Sequence, residues 1–144
     1  MATQMTGSHS DNIIAFIGRL ALGVIFVNSG FMKLMGLGAF AASLATRGVP
    51  QSSVWAVIGA TVEFVGGLLI VTGIKTRPAA LLMILFVIVA TGISHRYWEF
   101  TEAAAHRAQQ SQFFKNLAII GGFLLLYVTG GGRYSVDHWL GRKR

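Results

Sequence analysis

Four long apolar segments, 13–34, 54–74, 78–94 and 113–129, alternate with short polar stretches along this chain. Each is roughly 17–22 residues, against the ~20 that cross the hydrocarbon core of a bilayer as a helix. The pattern predicts an all-α fold, a bundle of four transmembrane helices in one domain spanning 13–140. The first segment is too long for a signal-peptide core and lacks a clean small-residue cleavage site, so it reads as a retained span. Residues 1–12 read as a polar, mobile tail and 141–144 as a basic tail. In the connector 35–53, residues 39–46 are helix-permissive and mildly apolar, and Arg47-Gly48-Val49-Pro50 breaks them. Lys75-Thr76-Arg77-Pro78 is a tight turn that sets Pro78 in the first turn of the third span. The connector 95–112 is rich in Ala, Glu, Gln and Arg in its second half, so the fourth helix should begin before its apolar part. Gly130-Gly131-Gly132 ends it.

Composition agrees with a membrane protein. The 144 residues are 53% hydrophobic and 12% charged, with mean hydropathy +0.62; soluble domains carry about 25% charged residues. The 18 glycines suit closely packed membrane helices. The net charge of +7 is scattered at the ends of the apolar runs. It forms no basic stripe with interleaved aromatics, so the expected partner is the lipid bilayer and not nucleic acid. Four spans put both termini on one side, and the basic residues of the short loops favour the cytoplasm for them. Most Trp and Tyr residues fall at segment ends, where they anchor helices in the interface.

One residue stands out against the pattern. Glu63 is the sole acidic residue inside any apolar segment. An ionisable group at that depth faces a protein interior or a wet cavity, and is a functional-site candidate by default. Gly59, Glu63 and Gly67 are spaced i, i+4, i+8 and share one helix face, where glycines admit a neighbouring helix. On the first span Arg19, Gly23, Phe26, Gly30 and Lys33 fall within about 40° of one face. Glu63 should lie roughly 13 Å below the boundary farther from the termini, at a level between Arg19 and Lys33. Helical side chains lean toward their own N-terminus. That lean brings Lys33 and Glu63 together and sends Arg19 the other way, to snorkel toward headgroups. His95, Arg96 and Trp98 at the end of the third span, with Lys115 and Asn116 at the start of the fourth, share the rim with Lys33. The predicted site is a basic rim over one buried carboxylate, suited to an anionic or quinone-like headgroup. The competing reading is structural: a Lys–Glu pair that fixes helix register, with rim cations that are solvated or bound to lipid phosphates.

The absences narrow the chemistry. With no cysteine the chain has no disulfide, thiol relay, iron–sulfur cluster or Cys-ligated zinc. The histidines lie outside the spans or, for His95, at a boundary, which does not suit a bundle haem. No Glu/His set for a di-iron site and no phosphate-binding glycine loop is present. No metal site is expected and no intrinsic redox centre.

An ordered set of segments resembles the DoxX family of small inner-membrane proteins: GRLALGVIFVNSGFMKL at 18–34, RGVP at 47–50, VEFVGGLLIVTGIKTRPAA at 62–80, SHRYWEF at 94–100 and FFKNLAIIGGFLLLYVTGGGRYSVD at 113–137. The resemblance implies four membrane helices with cytoplasmic termini. Arg19, Glu63, His95, Trp98, Lys115 and Asn116 match the polar positions of the family pattern. Gly130–Gly132 departs from the common Gly-Pro-Gly and predicts a softer helix end. Family members are linked to membrane oxidoreductase complexes, and a distant eukaryotic class serves as a cargo receptor, so no single reaction is implied. Two readings follow. The first is an accessory or quinone-linked subunit docking a redox partner protein, with any quinone or flavin supplied from elsewhere. The second is a non-enzymatic membrane protein that binds or moves a small amphipathic molecule or scaffolds partners, with a homodimer contact at Gly66 and Gly67 or at Gly121 and Gly122.

Overall fold

The computed structural model describes residues 8–141. It contains six α-helices: α1 His9–Met35, α2 Leu37–Thr46, α3 Ser52–Thr72, α4 Thr76–Ser94, α5 Ala103–Thr129 and α6 Val136–Gly141, with a 3-10 turn at Tyr97–Glu99. Four of them, α1, α3, α4 and α5, are long and apolar enough to cross a membrane. The apolar pattern therefore located the spans, and local chemistry moved their ends. Ser8 and Asp11 form a reciprocal capping box, with Asp11 N–H donating to Ser8 Oγ at 3.3 Å and Ser8 N–H to Asp11 Oδ2 at 2.7 Å. This starts α1 at His9, inside the stretch expected to be a mobile tail. Residues 1–7 of that tail, and 142–144 of the basic tail, lie outside the described residues.

Glu102 caps α5 by accepting from the amides of Ala104 and Ala105 at 2.8 and 2.7 Å. Those hydrogen bonds hold its carboxyl below the usual carboxylate range. The helix accordingly begins ten residues before its apolar part, as the connector's composition predicts. The αL residue Gly73 (φ 70°) closes α3, and Gly130 (φ 75°) closes α5. The short α6 was not foreseen.

α1 packs chiefly on α3, α4 on α5, and α3 joins the two pairs through α4; α1 and α5 touch little. Backbone meets backbone in the first pair. A Cβ on Gly30 would stand 2.5 Å from the amide nitrogen of Phe64, and one on Gly67 would stand 2.7 Å from that of Val27. Gly66 faces Met83. Gly66 and Gly67 are thus consumed inside the bundle, which corrects their assignment as a dimer face; Gly122 packs on Leu22, and Gly121 alone faces open space. Phe26, Ile70, Met83, Val87 and Phe123 form the core. Ile14, Ile17, Leu85, Leu125 and Val128 are exposed, as side chains facing lipid should be.

Candidate binding site

The face of α1 that carries Arg19, Gly23, Phe26 and Gly30 is buried. Its two cations go to different ends. At the end near the termini, Arg19 is 2% exposed. It donates through Nη2 to the Tyr134 carbonyl at 2.5 Å and through Nη1 to the Gly131 carbonyl. It does not snorkel: the glycine-rich turn after α5 folds back over the bundle and offers carbonyls where headgroups were expected. Asp137 fastens the same turn. Its carboxylate accepts from the amides of Lys75 and Thr76 at 2.6 and 2.7 Å, at the start of α4, and its own amide donates to the Gly73 carbonyl at 2.9 Å. Burial opposes ionisation of this carboxyl. The hydrogen bonds from Thr76 and Lys75, with the field of Arg19, outweigh burial and hold it below its ordinary value.

At the far end, Lys33 Nζ donates to Glu63 Oε2 at 2.5 Å. The Glu63 side chain is 5% exposed and that of Lys33 32%. The expected pair is therefore present, and Arg19 is no part of it. The ammonium also lies 5.1 Å from the centre of the Phe40 ring on α2. Glu63 and Lys33 border a cavity of about 190 Å³. Ser29 on α1, Ser94 at the end of α4 with His95 just after it, and Lys115 and Asn116 on α5 complete its polar wall, while Phe26, Phe86, Val87 and Ile119 supply the apolar part. His95 Nδ1 lies 2.8 Å from Gln109 Oε1, which ties the ring to α5. Asn116 Nδ2 donates to Thr91 Oγ1 at 2.9 Å, and that hydroxyl donates to the Val87 carbonyl at 2.6 Å. Lys115 donates to Gln112 on its own helix.

The cavity thus gathers Lys33, Glu63, His95, Lys115 and Asn116 of the predicted set. Arg96 and Trp98 do not line it. Arg96 pairs with Glu99 at 3.2 Å. Trp98 packs edge-on against Tyr97 and Phe113, with centroids 5.3 and 6.1 Å away, and is exposed. Ser29, Ser94, Thr91 and Gln109 were missed. For the three hydroxyl residues the available signal was a small polar group inside an otherwise apolar run; Gln109 lies in a polar connector and had none.

A second chamber of about 440 Å³ adjoins the first, sharing Lys33, Phe86, Ala90 and Ser94. Elsewhere its lining comes from Phe40 and Leu44 of α2, Trp55, Ile58 and Val62 of α3, and Leu82, Leu85 and Val89 of α4. Apart from Lys33 it contains no ionisable group.

The sequence profile of the DoxX family matches residues 14–96, from the start of α1 to the far-end rim. The chain belongs to the DoxX family. Inner membrane protein YphA of Escherichia coli K12 is 37% identical over 125 residues, covering 87% of this chain and 89% of that one. Inner membrane protein YqjF of the same strain is 32% identical over 133 residues, covering 92% and 96%. A Surfeit locus protein 4 homolog of Schizosaccharomyces pombe is 34% identical over 70 residues, which is 48% of this chain and 23% of that protein. No solved structure matches. This DoxX-family chain is a multi-pass inner-membrane protein, with four span-length helices.

Proposed function

We propose that this DoxX protein binds a small amphipathic molecule at the end of the bundle away from its termini, and does not itself carry out a redox reaction. The observation that supports this is the juxtaposition of the polar cavity around Lys33 and Glu63 with the larger apolar chamber between α3 and α4. Ligand sites are commonly apolar with a few placed polar groups, and lie between helices of bundles. A carboxylate at membrane depth that meets a cation beside a cavity, instead of being sealed in the core, fits a binding role better than a purely structural one.

A quinone is the ligand that would tie the protein to an oxidoreductase complex. The donors fit it: Lys33, Lys115 and Asn116 border the cavity and can hydrogen-bond a carbonyl headgroup. Bound quinone would supply the two-electron chemistry, while these residues would orient its head.

The test is purification in native-lipid nanodiscs, followed by mass spectrometry of retained small molecules and of co-purifying proteins. The expected result is one amphipathic species retained by the wild type and lost from Lys33→Met. Retention of bulk lipids alone, unchanged in that variant, overturns the reading. A retained quinone together with a flavoprotein or dehydrogenase partner would establish the redox-linked form.

A further inference from the structure

The two chambers are adjoining compartments that share four residues, and their chemistry is complementary. The polar one holds Lys33, Lys115 and Glu63 as its charged groups. Lys33 and Glu63 neutralise each other at 2.5 Å, which leaves the Lys115 charge without an acidic partner in the cavity. The apolar one is bordered by Trp55, Ile58, Leu82, Leu85 and Val89, all of them exposed on the lipid-facing surface of α3 and α4. An occupant therefore enters sideways from the bilayer. The apolar chamber lies within the ~300–1,000 Å³ of small-molecule sites, whereas the polar one is below that range. A head of a few atoms fits the latter, and a glycerophosphate with its second chain does not.

Building on the amphiphile-binding reading above, we propose that a single molecule fills both compartments: a single-chain carboxylic acid of the fatty-acid type. Its chain lies in the α3–α4 chamber and its carboxylate rests against Lys115 and Lys33. Lys33 stands at the junction, between Glu63 and the Phe40 ring, so the ammonium reaches the incoming carboxylate by a rotamer change at the end of its flexible stem. Gly59 lines the chain compartment, and a Cβ there meets nothing nearer than Phe40 at 3.8 Å. A larger side chain at Gly59 therefore fills the chamber without disturbing the helix contacts of α3.

The full chain is reconstituted in phosphatidylcholine vesicles with a palmitate analogue carrying a mid-chain diazirine. After irradiation the labelled residues are mapped by peptide mass spectrometry. Insertion is expected at Ile58, Val62, Leu85 and Val89. Gly59→Leu and Lys115→Gln should each lower it at least about tenfold, as should replacing the acid by its methyl ester. The thermal midpoint of each variant should stay at the wild-type value, which separates a blocked site from a misfolded bundle. Equal labelling by the ester, or label spread over the outward residues Ile14, Ile17, Leu125 and Val128, overturns the proposal. So does equal labelling of the chamber by a diazirine-bearing phosphatidylglycerol. If a neutral-headed probe such as a quinone analogue labels the chamber in preference to the acid, the acid proposal falls and the amphiphile-binding reading stands. If no probe labels the chamber, both fall.

Discussion

Arg19 and Lys33 sit on one stripe of α1, fourteen positions apart, and are stabilised in opposite ways. Arg19 donates to two backbone carbonyls, which cannot titrate and cannot leave. Lys33 donates to a side-chain carboxylate, keeps about a third of its own surface open, and faces a cavity. The contrast shows how to separate a structural cation in a membrane bundle from an exchangeable one. A cation sealed by backbone acceptors fixes the fold; one with a mobile partner and adjoining space can change partners.

Four changes test that contrast, beginning with the one expected to matter most. Arg19→Met removes two charge-assisted hydrogen bonds of ~1.5–3 kcal/mol each and strands the carbonyls of Gly131 and Tyr134. A loss of about 3 kcal/mol or more is expected in denaturant unfolding in detergent. Arg19→Lys should recover less than half, since a point ammonium does not reproduce the guanidinium fork. If Arg19→Met unfolds at the wild-type midpoint, the clasp is not structural and the comparison fails.

Gly30→Val comes next. Its side chain would collide with the Phe64 backbone and force α1 from α3. The expected cost is about 2 kcal/mol, typical of overpacking, and ligand retention should fall because Lys33, one turn away, moves with the helix.

The far-end pair should matter less to folding. A double-mutant cycle of Lys33→Met and Glu63→Gln is expected to give a coupling energy of about 1 kcal/mol, while Lys33→Met alone abolishes retention of the ligand. A coupling above about 3 kcal/mol would mark the pair as a structural lock, in contradiction to an exchangeable role.

The smallest effect is one of pH. The Asp137 carboxyl is held below its ordinary value in the folded protein. Its stabilisation is therefore complete above the unfolded carboxylate pKa of ~3.9 and is lost as pH falls through the lower folded value. As pH falls below about 4 the wild type should lose slightly more stability than Asp137→Asn, as read from melting curves. Parallel curves would show that the α4 cap does not depend on the carboxylate charge.

The spans and the Lys33–Glu63 pair were legible because helix period, rise and side-chain lean are properties of each helix alone. The partner of Arg19 was not. Its acceptors are main-chain oxygens of the turn after α5, and carbonyls leave no mark in a sequence. The same limit hid the role of Asp137, whose ligands are amides 61 and 62 residues away. Trp98 and Arg96 were placed at the correct end of the bundle, but the turn at Tyr97–Glu99 directs them away from the cavity. Length and spacing predict the level of such residues; the direction taken by a three-residue 3-10 turn they do not.

The clasp at Arg19 has a consequence for how the protein is made. Arg19 belongs to α1, and its acceptors at Gly131 and Tyr134 lie 112 and 115 residues further along the chain, so they are made after it. Until that turn is made, α1 carries a cation that its own chain does not yet satisfy, which favours keeping Arg19 at the water interface. Synthesis of the turn after α5 converts that helix from a provisional to a committed span. A chain that stops short of Gly131 keeps its four apolar helices but has no backbone acceptor for the buried charge of Arg19.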